Sequence, residues 1–374
     1  MANIMDYLDW RGDLTLKQSP FNEVDNLILS QMSYVNFEQI VPGLHSDQDI
    51  TIKEASDLFF TQHSELEINN LNFLMKMSVH LLEKMASCER FAEMSLSNYV
   101  NIIDHHTQKQ FSAVTITLDE DNVFVAFRGT DNTIVGWKEN FNMTFMSPVP
   151  AQLEAIVYLE KAVGNLDKNI LAGGHSKGGN LAVYAAVKSS AAIRERITTV
   201  YNNDGPGFHR DVIECMEYKD MLPKVKTIVP QSSIVGMMLE HEEEIMVVKS
   251  GEKLLMQHDP MSWDVLGNSF ICVANVSKES RIVDGTLKSM LQKLNESQRS
   301  HFVDSLFQIL DTTNVNTIDD LTQDKWKKIM EIIKIVTSME PENRKVMMET
   351  IKLLFNEGNR VYKEAKLEEK STKA

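Results

Sequence analysis

The part of the chain best suited to chemistry is the five-residue run Gly174-His175-Ser176-Lys177-Gly178. Its Gly-x-Ser-x-Gly spacing is typical of the nucleophile elbow, a sharp turn from a strand into a helix with serine at the turn. Side chains two residues before and after that serine would clash across the turn, and glycine removes the clash. The helix that follows directs its free N–H groups towards a developing oxyanion. We expect Ser176 to be a nucleophile, with Gly174 and Gly178 as the elbow glycines.

Two alternatives compete with this interpretation. A glycine-rich turn can serve the backbone alone, or it can hold a phosphate at a helix N-terminus. The P-loop motif Gly-x-x-x-x-Gly-Lys-Ser/Thr is absent, because Lys177 follows Ser176 instead of preceding a serine. An apolar strand expected at 169–173 and a helix of small residues expected at 178–189 are the context that an elbow needs, so we favour the elbow.

A nucleophilic serine needs a base. In proteins with a nucleophile elbow, the usual order along the chain is serine, acid, histidine. The histidines that follow the serine are His209, His241, His258 and His301. We expect the first to begin a helix, the second to lie in a solvated charge run, and the last to lie in a helical region. His258 is expected in a loop between strands and is our candidate base. The alternative is a loop histidine bonded to Asp259.

The acid is less clear from the sequence. Asp204 follows a strand expected to end at Tyr201 and lies within Asn-Asn-Asp-Gly-Pro-Gly, residues 202–207. Asp204 follows the next strand after the one that precedes Ser176, and from there its carboxylate can reach the base. The same sequence is also a turn signature that favours aspartate for backbone reasons. Asp204 is therefore the candidate acid, with a turn residue as the alternative.

Two N–H groups would complete an oxyanion hole. The backbone N–H of Lys177 is the first expected donor, and the second should come from the loop after an early strand. The strand expected to end at Phe127 is followed by Gly129, which permits a close approach, and by Thr130, whose hydroxyl can orient the loop. We nominate Thr130. The alternative is that residues 129–131 form a simple turn.

Around these residues the hydrophobic pattern predicts an α/β fold. Residues 1–110 read as a mostly helical N-terminal region. One helix is expected to begin with a capping box at Ser64 and Glu67 and to continue through Leu82. Residues 111–284 read as the α/β core, and 285–374 as a helical C-terminal extension. Alternating strands and helices predict a mostly parallel sheet with helices on both faces. The expected strands are 113–118, 123–127, 169–173, 197–201, 225–229, 245–248 and 270–276, with helices at 152–163, 178–189 and 211–221 and later helical stripes at 302–310, at 326–333 and from Pro341.

Composition excludes several classes of protein. The 374 residues are 43% hydrophobic and 24% charged, which rules out a wholly disordered or fibrous chain. The net charge of −15 disfavours nucleic acid as a partner. No apolar stretch is long enough for stable membrane insertion, and the first residues lack a signal-peptide pattern, so we expect a cytoplasmic protein. The cysteines, which we expect to be buried small hydrophobes, are Cys88, Cys215 and Cys272.

A family resemblance rests on two motifs, Phe127-Arg128-Gly129-Thr130 and Gly174-His175-Ser176-Lys177-Gly178-Gly179. Together they resemble the class 3, or fungal-type, lipase branch of the α/β-hydrolases. A wider pattern resembles a family of bacterial lipase-like proteins of unknown function, and it comprises Asp6-Tyr7-Leu8, Phe21-Asn22-Glu23-Val24-Asp25-Asn26 and Gln257-His258-Asp259. The resemblance implies an α/β-hydrolase fold with Ser176 as nucleophile, His258 as base and Thr130 in the oxyanion loop.

One departure from the class 3 pattern concerns the acid. Class 3 lipases carry it after the strand that corresponds to residues 226–229, where this chain has Ser232 and Ser233 and no carboxylate. Either Asp204 has taken over the role, or a Ser–His dyad works without an acid, or the protein is not a competent hydrolase.

These observations predict a serine hydrolase that cleaves a carboxylic ester, with a small-molecule or lipid acyl ester as substrate. The chemistry requires no metal and no organic cofactor. A thioesterase or an amidase would use the same constellation. The competing hypothesis is a catalytically silent module that keeps the hydrolase fold as a binding scaffold, with the C-terminal helices engaging a partner that the sequence does not identify.

Overall fold

The computed structural model describes residues 2–131, 134–252, 254–295, 298–299, 344–345, 348–350, 352–353 and 356–362. The chain divides into two compact units. The first comprises Met1–Ile103, Gln110–Gly129 and Pro150–Val276, and the second comprises Asp104–Lys109, Thr130–Val149 and Ser277–Ala374. The helical stripes expected at 302–310 and 326–333, and the start of the helix expected from Pro341, lie outside the described residues.

The first unit is built on an eight-stranded sheet whose strands lie side by side in chain order. The β3–β4 pair is antiparallel, and the strands from β4 to β8 are parallel to one another. The strands are β1 Ile50–Thr51, β2 Ser95–Asp104, β3 Lys109–Thr117, β4 Asn122–Phe127, β5 Asn169–His175, β6 Ile197–Asn203, β7 Val225–Pro230 and β8 Ile245–Val248, followed by a two-stranded sheet of β9 Val265–Leu266 and β10 Ser269–Phe270.

Helices connect the parallel strands and precede the sheet. Among the described residues, no helix is both long and apolar enough to cross a membrane. The helices are α1 Ile4–Arg11, α2 Glu23–Met32, α3 Ile52–Gln62, α4 Glu65–Asn69, α5 Phe73–Ala86, α6 Ile134–Asn142, α7 Pro150–Val163, α8 Lys177–Lys188, α9 Ala191–Arg196, α10 Arg210–Ile213, α11 Met216–Met221 and α12 Lys278–Lys293, of which α6 and α12 belong to the second unit.

Strand β4 shows why the sheet has helices on both faces. Successive side chains of a strand point to opposite faces. Val123, Val125 and Phe127 pack into one core with α7 and α8, while Phe124 and Ala126 pack into the other with α2 and α5. Burying a side chain of the size of valine or phenylalanine contributes about 1.5–3 kcal/mol, so both faces stabilise the sheet.

A buried ion pair holds the N-terminal segment to the rest of the first unit. The Arg90 guanidinium donates to both carboxylate oxygens of Asp25, at 2.7 and 2.5 Å, and both side chains are fully buried. Its remaining donors bond the carbonyl oxygens of Leu14 and Ser19, both at 2.9 Å. The hydroxyl of Tyr7 donates to Asp25 Oδ1 at 2.8 Å. Charge and hydrogen bonds are therefore satisfied together.

Several predicted elements are confirmed. The strands expected at 113–118 and 123–127 form the antiparallel pair β3–β4, and β5, β6, β7 and β8 follow the expected strands within two residues. The capping box at Ser64 and Glu67 is present. The helix predicted to continue from there is broken, however, because α4 ends at Asn69 and Asn72 caps a new helix, α5. The three-part division into 1–110, 111–284 and 285–374 stays a prediction.

Other expectations are wrong. The strand β2 lies within the region that we expected to be mostly helical, and the strand expected at 270–276 is reduced to Ser269–Phe270. Of the three cysteines expected in the core, Cys88 is buried, Cys215 is half-buried and Cys272 is exposed. Strand β2 has ten residues, but only Leu96 and Tyr99 are buried, so its sequence lacks the alternation that indicates a strand. Strand β10 has two residues, too few to show a periodic pattern.

Candidate active site

The candidate residues follow the carboxyl ends of neighbouring parallel strands. In open α/β sheets this edge is where ligands bind. Ser176 comes directly after β5, Asp204 directly after β6, and Ser233 three residues after β7. Parallel pairing brings these ends together, since Phe127 pairs with Gly174 and Asn203 with both His175 and Ile228.

The chain turns at Ser176 from β5 into α8 with a strained backbone. Ser176 is buried and is the N-cap residue of α8. Its φ of 58° and ψ of −132° are backbone angles that residues other than glycine rarely adopt. A Cβ atom at Gly174 would lie 2.3 Å from the carbonyl carbon of Gly178. A Cβ atom at Gly178 would lie 2.1 Å from the carbonyl oxygen of Phe127. Both positions therefore require glycine for packing reasons.

The residue after the serine contributes more than its backbone N–H, which lies in the first turn of α8. The Lys177 side chain is buried, and its Nζ donates to the carbonyl oxygen and to Oε1 of Gln110, both at 2.7 Å. Gln110 Nε2 in turn donates to the carbonyl oxygen of Gly129 at 3.5 Å. This lysine links the elbow to the loop after β4, a role that the sequence analysis missed.

The carboxylate of Asp204 lies against the imidazole of His258. Asp204 Oδ2 and His258 Nδ1 are 2.7 Å apart, with Asp204 fully buried and the His258 side chain 26% exposed. His258 ends a 3₁₀ turn, Leu254–His258, rather than lying in an open loop. Because an ionised carboxylate only accepts, His258 Nδ1 carries the hydrogen and Nε2 is the nitrogen left to act as a base.

Asp204 lies in a turn with φ 52°, a left-handed conformation that aspartate tolerates, but among the described residues its side chain makes no hydrogen bond within that turn. Asn202 Oδ1 accepts from the backbone N–H of Gly205 at 2.9 Å, so the Asx-type bond of this turn belongs to Asn202. Asp204 Oδ1 instead accepts from the hydroxyl of Ser233 and from the N–H of Gly236, the latter at 3.2 Å. The carboxylate is thus oriented by the loop after β7 and directed at His258.

A second histidine contacts the same imidazole, and the sequence analysis gave it no role. His175 is buried, and its Nε2 lies 2.8 Å from the carbonyl oxygen of His258. The two rings pack with their centroids 4.6 Å apart. Burial, and next the neighbouring His258, hold the pKa of His175 well below its ordinary value of 6.5. The hydroxyl of Tyr34 lies 3.2 Å from Nδ1 of His175.

Two of the predicted site residues, Ser176 and Thr130, are not joined to His258 and Asp204 by hydrogen bonds among the described residues. Among them, the Ser176 hydroxyl makes no hydrogen bond, to His258 or to any other side chain. Catalytic hydrogen bonds are often long or misaligned without substrate. Thr130 belongs to the second unit, where its hydroxyl donates to Asn140 Oδ1 at 2.8 Å, and its place in an oxyanion hole stays a prediction.

The model of one protein family matches residues 85–308, more than half of the chain, and its description is Mbeg1-like. The chain belongs to the Mbeg1-like family. Because this family is lipase-like, membership supports the lipase-like fold expected from the sequence. The bacterial origin suggested by the resemblance is not tested by the match.

Two solved structures are similar to this Mbeg1-like chain. An M37 lipase is 15% identical with a TM-score of 0.34, over 59% of this chain and 70% of the lipase chain. The Rhizomucor miehei lipase in its propeptide complex is 14% identical with a TM-score of 0.32, over 41% of this chain and 57% of the lipase chain. A comparison with curated proteins gave no match.

One expectation about the histidines of this Mbeg1-like protein is wrong. His241 is not in a solvated charge run, because its side chain is 6% exposed and its Nδ1 lies 2.8 Å from Glu243 Oε1. Glu243 also accepts from the hydroxyls of Tyr218 and Thr227, at 2.7 and 2.5 Å. Burial raises the pKa of Glu243, but these partners outweigh burial and lower it to about 2. His209, as expected, is the N-terminal cap residue of α10.

Proposed function

We propose that this protein is a serine hydrolase that cleaves carboxylic esters, with Ser176 as nucleophile, His258 as base and Asp204 as acid. The observation that carries the proposal is the 2.7 Å contact between Asp204 Oδ2 and His258 Nδ1. This contact joins a fully buried carboxylate to a histidine that comes later in the chain. It lies beside the turn that holds Ser176 in a strained conformation. A histidine with a purely structural role does not require a buried carboxylate partner, a position after that carboxylate in the chain and a strained serine nearby, all together.

The first half of the reaction acylates the serine. Ser176 Oγ attacks the ester carbonyl while His258 Nε2 accepts its proton. Asp204 stabilises the resulting imidazolium through Nδ1 and keeps the correct tautomer. The N–H of Lys177, with Thr130 as the second donor predicted from the sequence, stabilises the oxyanion, and each such donor contributes about 3 kcal/mol in known enzymes. The intermediate collapses as His258 protonates the leaving alcohol.

The second half releases the acid and restores the enzyme. Water gives a proton to His258 and attacks the acyl carbonyl, and the second tetrahedral intermediate expels Ser176 Oγ, which takes the proton back. No metal or organic cofactor takes part in this scheme. We propose a small-molecule or lipid acyl ester as the substrate class, since nothing in the chemistry requires a protein substrate.

Hydrolysis of p-nitrophenyl esters from acetate to palmitate tests the proposal. Ser176→Ala and His258→Ala should each lower kcat by about 10⁶, and Asp204→Asn by about 10⁴, as in serine proteases. The matched controls are the exposed Ser269→Ala, His45→Ala and Asp47→Asn, which should leave the rate unchanged. Equal hydrolysis by wild type and Ser176→Ala would contradict the proposal.

Labelling with a fluorophosphonate, located by mass spectrometry, separates the remaining alternatives. Labelling at Ser176 together with ester cleavage supports the esterase. Labelling without cleavage of any ester would redirect the search to thioesters and amides, which use the same constellation. The absence of both would favour a silent binding scaffold.

A further inference from the structure

The His175 side chain is buried beside the proposed base, yet the mechanism above does not use it. Both of its ring nitrogens have partners from distant parts of the chain. Nε2 lies 2.8 Å from the carbonyl oxygen of His258 and Nδ1 lies 3.2 Å from the hydroxyl of Tyr34. A buried side chain with every polar atom satisfied has one conformation available, so it can hold another group in place.

These two contacts fix the tautomer of His175. A carbonyl oxygen only accepts, so Nε2 must carry the hydrogen. In a neutral imidazole Nδ1 is then the acceptor, and the hydroxyl of Tyr34 is shared between Nδ1, at 3.2 Å, and the carbonyl oxygen of His175, at 3.4 Å. Burial holds the pKa of His175 well below 6.5, which keeps the ring neutral and this arrangement intact near neutral pH.

His258 is consequently held at three points. Its carbonyl oxygen accepts from His175, its Nδ1 donates to Asp204, and its ring packs on the ring of His175 at an interplanar angle of 37°. The carbonyl contact fixes the backbone, the ring contact limits rotation of the side chain, and the carboxylate selects the tautomer. Removal of the first two leaves the imidazole attached through one hydrogen bond.

We infer that His175 is a positioning residue that fixes both the backbone and the ring of His258 for proton transfer. The inference rests on the proposed function, because it assigns His258 as the base. Misplacement of a catalytic group by 1 Å costs about 100-fold in rate, so the loss of this support should be measurable.

Three variants separate positioning from simple packing. His175→Leu removes the donor and keeps an apolar side chain of similar size. His175→Gln keeps a donor at the end of the side chain, close to the place of Nε2. Tyr34→Phe removes only the hydroxyl that bonds Nδ1. Each variant is assayed for the rate of fluorophosphonate labelling, for kcat and KM, for thermal unfolding and for the downfield proton NMR signal of His258 Nδ1–H.

His175→Leu should lower the labelling rate and kcat by about 100-fold with KM nearly unchanged, and should broaden or abolish the NMR signal. His175→Gln should restore the rates to within about tenfold of wild type and recover the signal. Tyr34→Phe should have a smaller effect, about tenfold, because Nε2 keeps its hydrogen bond. A signal absent from His258→Ala assigns the resonance.

The inference is overturned if His175→Leu keeps the wild-type labelling rate and NMR signal. It is also overturned if Leu and Gln lower the rates equally, in step with a lower Tm, since that is the behaviour of a packing residue. A wild type that neither hydrolyses esters nor reacts with fluorophosphonate would refute the proposed function. The NMR arm still decides in that case, because loss of the signal in His175→Leu with recovery in His175→Gln supports positioning without any activity.

Discussion

The hydroxyl of Ser233 donates a hydrogen bond to Asp204 Oδ1, while the other oxygen of that carboxylate bonds His258. By the resemblance described in the sequence analysis, Ser233 lies in the segment that corresponds to the place of the acid in class 3 lipases. In this chain the segment supplies a neutral donor, and the carboxylate comes from the preceding parallel strand. Ser233 therefore bonds the proposed acid from the segment in which the class 3 pattern has a carboxylate.

Ser233→Ala tests this arrangement. A hydrogen bond to a charged group contributes about 1.5–3 kcal/mol, so the carboxylate should spend less time directed at His258 and kcat should fall about tenfold or more. KM should stay near its wild-type value, because Ser233 has no proposed contact with substrate. A steady-state assay on the best ester measures both constants, with Ser269→Ala as the control. An unchanged kcat would contradict the role of Ser233 in orienting the carboxylate of Asp204.

Glu243→Gln tests the buried cluster around His241. The pKa of Glu243 is lowered from 4.5 to about 2, so its charged form stabilises the fold by about 3 kcal/mol above pH 4.5. This stabilisation is lost as pH falls from 4.5 towards 2, because the unfolded chain takes up the proton first. Urea unfolding at several pH values should show the variant less stable at pH 7 and the difference shrinking in acid. A difference independent of pH would contradict the assignment.

Arg90→Met should destabilise the protein by about 3–5 kcal/mol, because it leaves the buried carboxylate of Asp25 without a counter-charge. The matched control is Lys84→Met, which breaks the more exposed pair with Asp9 and should cost less than about 1 kcal/mol. Urea unfolding monitored by circular dichroism compares the two. Equal losses would mean that burial does not distinguish these ion pairs.

Gly178→Ala should destabilise the protein, although glycine to alanine inside a helix normally stabilises it by up to about 1 kcal/mol. The reason is the contact of the added Cβ with the carbonyl oxygen of Phe127, at 2.1 Å. Gly251→Ala is the control, since the nearest atom to its Cβ would be 4.0 Å away. Thermal unfolding should show a lower Tm for the first variant and little change for the second. An unchanged or higher Tm for Gly178→Ala would contradict the packing argument.

The sequence predicted the local parts of the candidate site and left the non-local parts open. The turn from strand to helix at Ser176 was predictable because Gly174, Ser176 and Gly178 lie within five residues. His258 was selected by chain order and by its expected loop. The role of Asp204 could not be decided from the sequence. The direction of its side chain depends on two hydrogen bonds, one from Gly205 to Asn202 within the turn and one from Ser233, which follows another strand.

The contacts that the sequence analysis missed are long-range or disguised by composition. Tyr34 and His175 are 141 residues apart, and no pattern in either segment indicates that they meet. His241 precedes three glutamates, a composition typical of a solvated surface. Its burial follows from Tyr218 and Thr227, which belong to other elements and bond Glu243.

The positions of Asp204 and Ser233 at neighbouring strand ends have an evolutionary consequence. Adjacent strands lie about 4.8 Å apart, and the hydroxyl of Ser233 bonds the carboxylate of Asp204, so side chains from the two strand ends meet on the same side of the site. A lineage can therefore gain an acid at one strand end before it loses the acid at the other. Under the proposed function, the acid could therefore move between the two strand ends while Ser176 and His258 stay in place.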